Sequence, residues 1–215
     1  MLLNPDDTVL FLGDSITDCG HLDAVCNGEG LGRGYVAMIA ARLNARFPDW
    51  NLRFINHGIS GHRVYDMEKR LVEPDIAALR PGLVSMLIGI NDTWRRYDSN
   101  LVSPVEEFRA ALRRTLNALA KRGVERVLIL EPFLLPVPED RRAWREDLDP
   151  RIHAVRDCAV EAGAAFIALD GRFAEASARR PAPFWLPDGV HPSAAGHALI
   201  ADAWLERVLQ DDPAR

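Results

Sequence analysis

Two short segments near opposite ends of the chain hold the residue types of a nucleophilic hydrolase. GDSITD, at 13–18, follows the apolar run TVLFL and offers Ser15. DGVHPS, at 188–193, offers Asp188 and His191. A serine hydroxyl attacks a carbonyl efficiently only when a base takes its proton. A histidine is a well-placed base only when a third group orients its ring. Asp188 and His191 lie three residues apart, so one turn can bring the carboxylate to one ring nitrogen and leave the other for Ser15. The candidate nucleophile is therefore Ser15, the candidate base His191 and the orienting acid Asp188.

Two middle segments, NHGISGHR at 56–63 and GINDTW at 89–94, supply a second requirement. Acyl transfer builds negative charge on the carbonyl oxygen, and donors must already face it. Glycine lets a backbone N–H approach without a side-chain clash, and asparagine carries an NH2 donor that pH does not remove. Gly61 N–H, the Asn91 side chain and Ser15 N–H are the candidate oxyanion donors. Asp14 and Asp92 adjoin these residues and are expected to hold loop N–H groups. Trp94 and Arg95 follow Asn91, and Trp185 lies three residues before Asp188, so these three are the candidates for a substrate wall. His57 and His62 flank the second segment, His197 is expected to pack, and His21 and His153 are expected at the surface.

These segments need elements to position them. Nearly continuous apolar runs at 8–12, 52–56, 83–89, 126–131 and 165–170 predict strands covered on both faces. Helical patterns lie between and after them at 34–47, 64–80, 104–122, 150–162 and 193–209. Pro74 is expected to break or kink the second of these helices, and Ser193 to cap the last. The alternation predicts an α/β fold, a three-layer α/β/α sandwich on a five-stranded parallel sheet, as one domain over 1–215. Ligands of such sheets sit at the carboxyl ends of the strands, where all four segments fall. The longest irregular stretch, 133–150, follows the fourth strand and overhangs the same edge.

The four ordered segments, from Phe11 to about Ala203, resemble the SGNH (GDSL) hydrolase family, with Ser15, Gly61, Asn91 and His191 at its four signature positions. FLGDSITDCG, GLGRGYV, SGHRVYDMEKR, IGINDTWRRYD and GVHPSAAGH are similar to small bacterial acetyl-carbohydrate esterases, acetylxylan esterases especially. The TWRRYD continuation carries most of this narrower likeness, while the Pro-rich approach PAPFWLPDGV departs from it. The resemblance implies a flavodoxin-like fold and removal of acetyl groups from small saccharides, such as acetylated xylo-oligosaccharides, without a cofactor. The same machinery in a lipid or acyl-thioester hydrolase is the alternative. GDS is not the GxSxG elbow of the α/β-hydrolases.

Bulk properties agree with a soluble enzyme. A chain of 215 residues can bury roughly 70% of its unfolded surface. Its net charge of −5 argues against nucleic acid or an anionic membrane as partner. The start MLLNPDDTVLFLGDS lacks a basic region followed by a long apolar one, which reads as no signal peptide and a cytoplasmic location. Cys19, Cys26 and Cys158 show no metal-ligand spacing, so thiols are expected and no metal. A homo-oligomer is compatible with all of this.

Overall fold

The computed structural model describes residues 1–23, 30–71, 76 and 78–210. Five strands form one sheet: β1 (Thr8–Gly13), β2 (Arg53–Gly58), β3 (Leu83–Leu87), β4 (Val127–Leu130) and β5 (Ala165–Ile167). All pairings are parallel, in the order β2-β1-β3-β4-β5. The helices in chain order are α1 (Ser15–Asp18), α2 (Tyr35–Arg46), α3 (Val64–Arg70), α4 (Ile90–Asp98), α5 (Val105–Lys121), α6 (Arg145–Glu161), α7 (Leu169–Arg179), α8 (Ala182–Trp185) and α9 (Ala194–Val208). Short 3-10 turns cover Pro48–Trp50 and Glu139–Trp144.

Each strand feeds two separate cores through its period of two. Val9 and Phe11 of β1, with Leu83, Leu87, Leu128 and Leu130, pack against Tyr35, Val36 and Ile39 of α2 and Ile200 and Trp204 of α9. Leu10 and Leu12 point the other way, with Val84, Met86 and Ile129, onto Val64, Phe108, Leu112, Leu116 and Val155 of α3, α5 and α6. This is the three-layer sandwich, and it explains why the strands read as continuous apolar runs. Ser85 and Trp204, both fully buried, satisfy each other through a 3.0 Å bond from the indole N–H to the hydroxyl.

Several boundaries differ from the sequence expectation: β2 runs on to Gly58, and the helix expected over 64–80 ends as α3 at Arg70. The apolar run at 83–89 ends as a strand at Leu87, and α4 begins at Ile90 after Gly89. The run at 165–170 turns into α7 at Leu169. The stretch at 133–150 is irregular only in part: a 3-10 turn occupies Glu139–Trp144, and α6 starts at Arg145 with Pro150 inside it. A proline near a helix start loses only one backbone bond, so it need not mark the first residue. Pro74 lies outside the described residues.

Candidate active site

The carboxyl edge of the sheet brings the four segments together. β1 runs into Asp14, which caps α1 by accepting from Ile16 N–H at 3.0 Å. Ser15 is therefore the first residue of a short helix, with its N–H at the positive end. On the far side, Ser193 caps α9 by accepting from Gly196 N–H at 3.2 Å, as expected. The turn ahead of it presents Asp188 and His191. Gly189 sits in that turn at φ +83°, and a Cβ there would lie 2.4 Å from Leu135 O and 2.5 Å from Val137 O. Only glycine fits between Asp188 and His191 against this loop.

Ser15 Oγ lies 2.9 Å from His191 Nε2, and His191 Nδ1 lies 2.7 Å from Asp188 Oδ2. Asp188 Oδ1 also accepts from His191 N–H at 2.7 Å and from Val190 N–H at 2.9 Å. Partial burial opposes ionisation of Asp188, but these bonds outweigh it and hold its carboxyl well below the usual range. An ionised Asp188 fixes the proton of neutral His191 on Nδ1. Nε2 then carries a lone pair, and the Ser15 hydroxyl donates to it. The bond from Asp188 also raises the pKa of His191 above 6.5, against partial burial and the charge of Arg141.

Asn91 is buried, and one Nδ2 hydrogen goes to His62 O at 3.0 Å. That bond ties α4 to the loop holding Gly61, which stands at φ +83°. The other Nδ2 hydrogen has no partner among the described residues and remains available to an oxyanion. Asp92, fully buried, accepts from Val64 N–H at 3.1 Å and from Ser103 Oγ at 3.3 Å, which fixes the start of α3 just beyond Gly61. Burial raises the pKa of Asp92 to about 6. Asp14 is also fully buried, one of its oxygens has no hydrogen-bond partner, and burial lifts its pKa to about 7.

The wall candidates separate. The Trp94 ring lies 5.6 Å from that of His191 and meets Trp144 edge-on at 5.3 Å. Arg95 pairs with Asp98, and its Nη2 is the nearest heavy atom to a Cβ built on Gly61, at 3.4 Å. Trp185 does not join Trp94. Its N–H bonds Arg180 O at 3.2 Å, its ring meets Phe184 at 5.0 Å, and it lines a groove of about 480 Å³ that contains no residue of the Ser15 cluster. Its ring partner among the described residues is Phe184, whereas Trp94 is the tryptophan that meets His191.

The remaining histidines divide similarly. His197 is 5% exposed, accepts from Tyr35 N–H on Nδ1 at 3.2 Å, and is pushed by burial down to about 4. It packs, as expected, and its Nε2–H faces Cys19 Sγ at 3.5 Å. His21 is not the surface residue expected: its side chain is 11% exposed and bonds Asp18 at 2.8 Å. His153 is exposed. Cys26 lies outside the described residues. Sequence reasoning missed Arg141 and Trp144, which approach Trp94 from the 3-10 turn; no periodicity or motif in 133–150 marks them.

A parallel β2-β1-β3-β4-β5 sandwich with Ser15, His191 and Asp188 hydrogen-bonded in line at its carboxyl edge fits a class of hydrolase, and the sequence places the chain within it. The profile of the GDSL-like lipase/acylhydrolase family matches residues 11–199, and the chain belongs to that family. It is a carboxylic ester hydrolase. It is 37% identical over 218 residues to an acetylxylan esterase of Geobacillus stearothermophilus, covering 97% of this chain and 96% of that enzyme. Two solved variants of an acetylxylan esterase from that organism, each 33% identical over 97% of this chain and 96% of theirs, superpose with TM-scores of 0.87 and 0.86. Both are described as catalytic mutants. One replaces a histidine and the other an aspartate three positions before it.

Proposed function

We propose that this chain is a serine esterase that removes acetyl groups from carbohydrates, acetylated xylo-oligosaccharides in particular. The observation that carries the reading is the continuous relay from Ser15 Oγ through His191 to Asp188, with contacts of 2.9 and 2.7 Å. The Geobacillus enzyme supports it twice. Its described activity is on acetylxylan, and its two catalytic replacements keep the Asp-to-His spacing of Asp188 and His191.

In this reading His191 Nε2 takes the proton of Ser15 as Oγ attacks the acetyl carbonyl. Asp188 stabilises the imidazolium that forms and is not itself protonated. The oxyanion is met by Ser15 N–H, Gly61 N–H and the second Nδ2 hydrogen of Asn91. His191 then protonates the departing sugar hydroxyl. Water, activated by the same imidazole, releases acetate from Ser15. Trp94, beside His191, is the wall the sugar ring would meet, and no cofactor takes part.

Initial rates on acetylated xylo-oligosaccharides and on p-nitrophenyl esters of increasing acyl length test the assignment. Rates should be highest with acetyl and fall sharply beyond butyryl. A long acyl channel would instead gain up to about 0.8 kcal/mol for each methylene buried. Highest activity on octanoyl or longer esters would place the enzyme among lipid or thioester hydrolases.

A further inference from the structure

Arg141 differs from the guanidinium groups around it. Arg142 pairs with Glu139 at 2.6 Å, and Arg145 with Asp149 and Asp170 at 2.6 and 2.8 Å. Arg96 pairs with Glu146 and Asp147 at 2.9 and 3.0 Å. Arg95 pairs with Asp98. The side chain of Arg141 has no hydrogen-bond or ion-pair partner among the described residues, and its Nη1 is buried without an acceptor. Nη1 is closed to solvent, so a ligand would meet this guanidinium through Nε and Nη2, for which no carboxylate among the described residues competes.

Its placement says which ligand. The guanidinium carbon stands 4.4 Å from the ring centre of Trp94 and 4.6 Å from that of Trp144. Trp94 in turn stands beside His191 at 5.6 Å, and the charge of Arg141 is felt at His191. Arg141 also lines a cavity of about 290 Å³ with Leu135, Arg145 and Asp170. Leu135 N–H bonds Gly189 O at 2.9 Å, so that wall abuts the turn bearing Asp188 and His191. Arg141 is thus a cation held by two rings at the edge of the relay, with no carboxylate of its own.

We propose that Arg141 binds a carboxylate on the leaving group, making acetylated oligosaccharides that carry an acidic sugar the preferred substrates. The proposal rests on the carbohydrate esterase reading. A guanidinium fork matches a carboxylate bidentately, and one held against aromatic rings gives up little freedom on binding. A sugar hydroxyl could accept from the same nitrogens but brings no charge to pair with the guanidinium.

The test uses inhibitors that contain no ester. A xylo-oligosaccharide bearing glucuronic acid and a neutral one of equal length, both without acetyl groups, compete with p-nitrophenyl acetate in the wild type, Arg141→Met and Arg141→Lys. Arg141→Met keeps an unbranched stem over Trp94 and drops the charge. Arg141→Lys keeps the charge without the fork. The wild type should bind the acidic compound more tightly, and added salt should narrow the difference. Arg141→Met should lose about tenfold more affinity for the acidic compound than for the neutral one, with Arg141→Lys between. Equal inhibition of the wild type by both compounds, or equal losses for both in Arg141→Met, would overturn the proposal. The carbohydrate reading fails separately, if acetylated oligosaccharides are not hydrolysed. Arg141-dependent inhibition by the acidic compound would then still stand.

Discussion

Two aspartates act on His191, and the fold treats them in opposite ways. Asp188 is partly exposed, accepts three hydrogen bonds and is held ionised. Asp14 is sealed from solvent, accepts from Ile16 N–H, leaves one oxygen without a partner, and has a pKa of about 7. The residue type is the same and the surroundings decide the charge. In the proposed mechanism one carboxylate orients an imidazolium. The other is built to cap the helix that begins with Ser15, and its charge is tolerated rather than used.

Replacing each carboxylate by its amide sharpens this contrast. Asp188→Asn should lower kcat by roughly 10⁴, because an amide no longer selects the tautomer that leaves Nε2 free for Ser15. Steady-state kinetics on p-nitrophenyl acetate reads this, and a loss under about tenfold would erase the difference between the two aspartates. Asn91→Ala should cost about 10² to 10³ in kcat with little change in KM, since the amide acts where charge develops. A rise in KM at constant kcat would make Asn91 a ground-state contact instead.

Asp14→Asn should have the smallest kinetic effect and a distinct thermodynamic one. The folded pKa of Asp14, about 7, lies above its ordinary value of 3.8. Its contribution to stability is therefore fully present below about pH 4 and is lost as pH rises through about 7. Denaturant unfolding at pH 5 and pH 8 should show the wild type losing stability on the order of a few kcal/mol more than Asp14→Asn does. The pKa shift of Asp188 has the opposite sign and acts only below the ordinary carboxylate range. The raised pKa of His191 should put the acid limb of kcat/KM above pH 6.5, activity rising as the ring loses its proton. Removing the Asp14 charge should move that limb slightly downward. A limb that moves upward, or equal pH dependence of stability in both proteins, would contradict the electrostatic difference.

Much of this was legible in the sequence where local pattern and chemistry coincide. The five strands announce themselves because both faces are covered. Asp188 and His191 announce themselves by a base and its orienter three residues apart, and Ser15, at the far end of the chain, by the GDS turn that follows a strand. What stayed hidden depends on direction in space. The runs at 83–89 and 165–170 pass into helix through Gly89 and Ala168, neither of which offers a capping side chain, so α4 and α7 have no polar residue to mark their start. Trp185 lies three residues from Asp188 yet packs on Phe184. Arg141 reaches Trp94 across 47 residues, from a turn with no periodicity. The environments of Asp14 and Asp188 were equally invisible, because burial and hydrogen-bond count are properties of the packed molecule.

The central claim is that Ser15 attacks because His191, oriented by Asp188, takes its proton. Covalent labelling with a fluorophosphonate, followed by intact mass and peptide mapping, tests it most directly. The wild type should gain one phosphonyl group, located on Ser15. Asp14→Asn should label at close to the same rate, Asp188→Asn far more slowly, and His191→Ala scarcely at all. Labelling at another residue, or undiminished labelling of Ser15 in His191→Ala, would contradict the account.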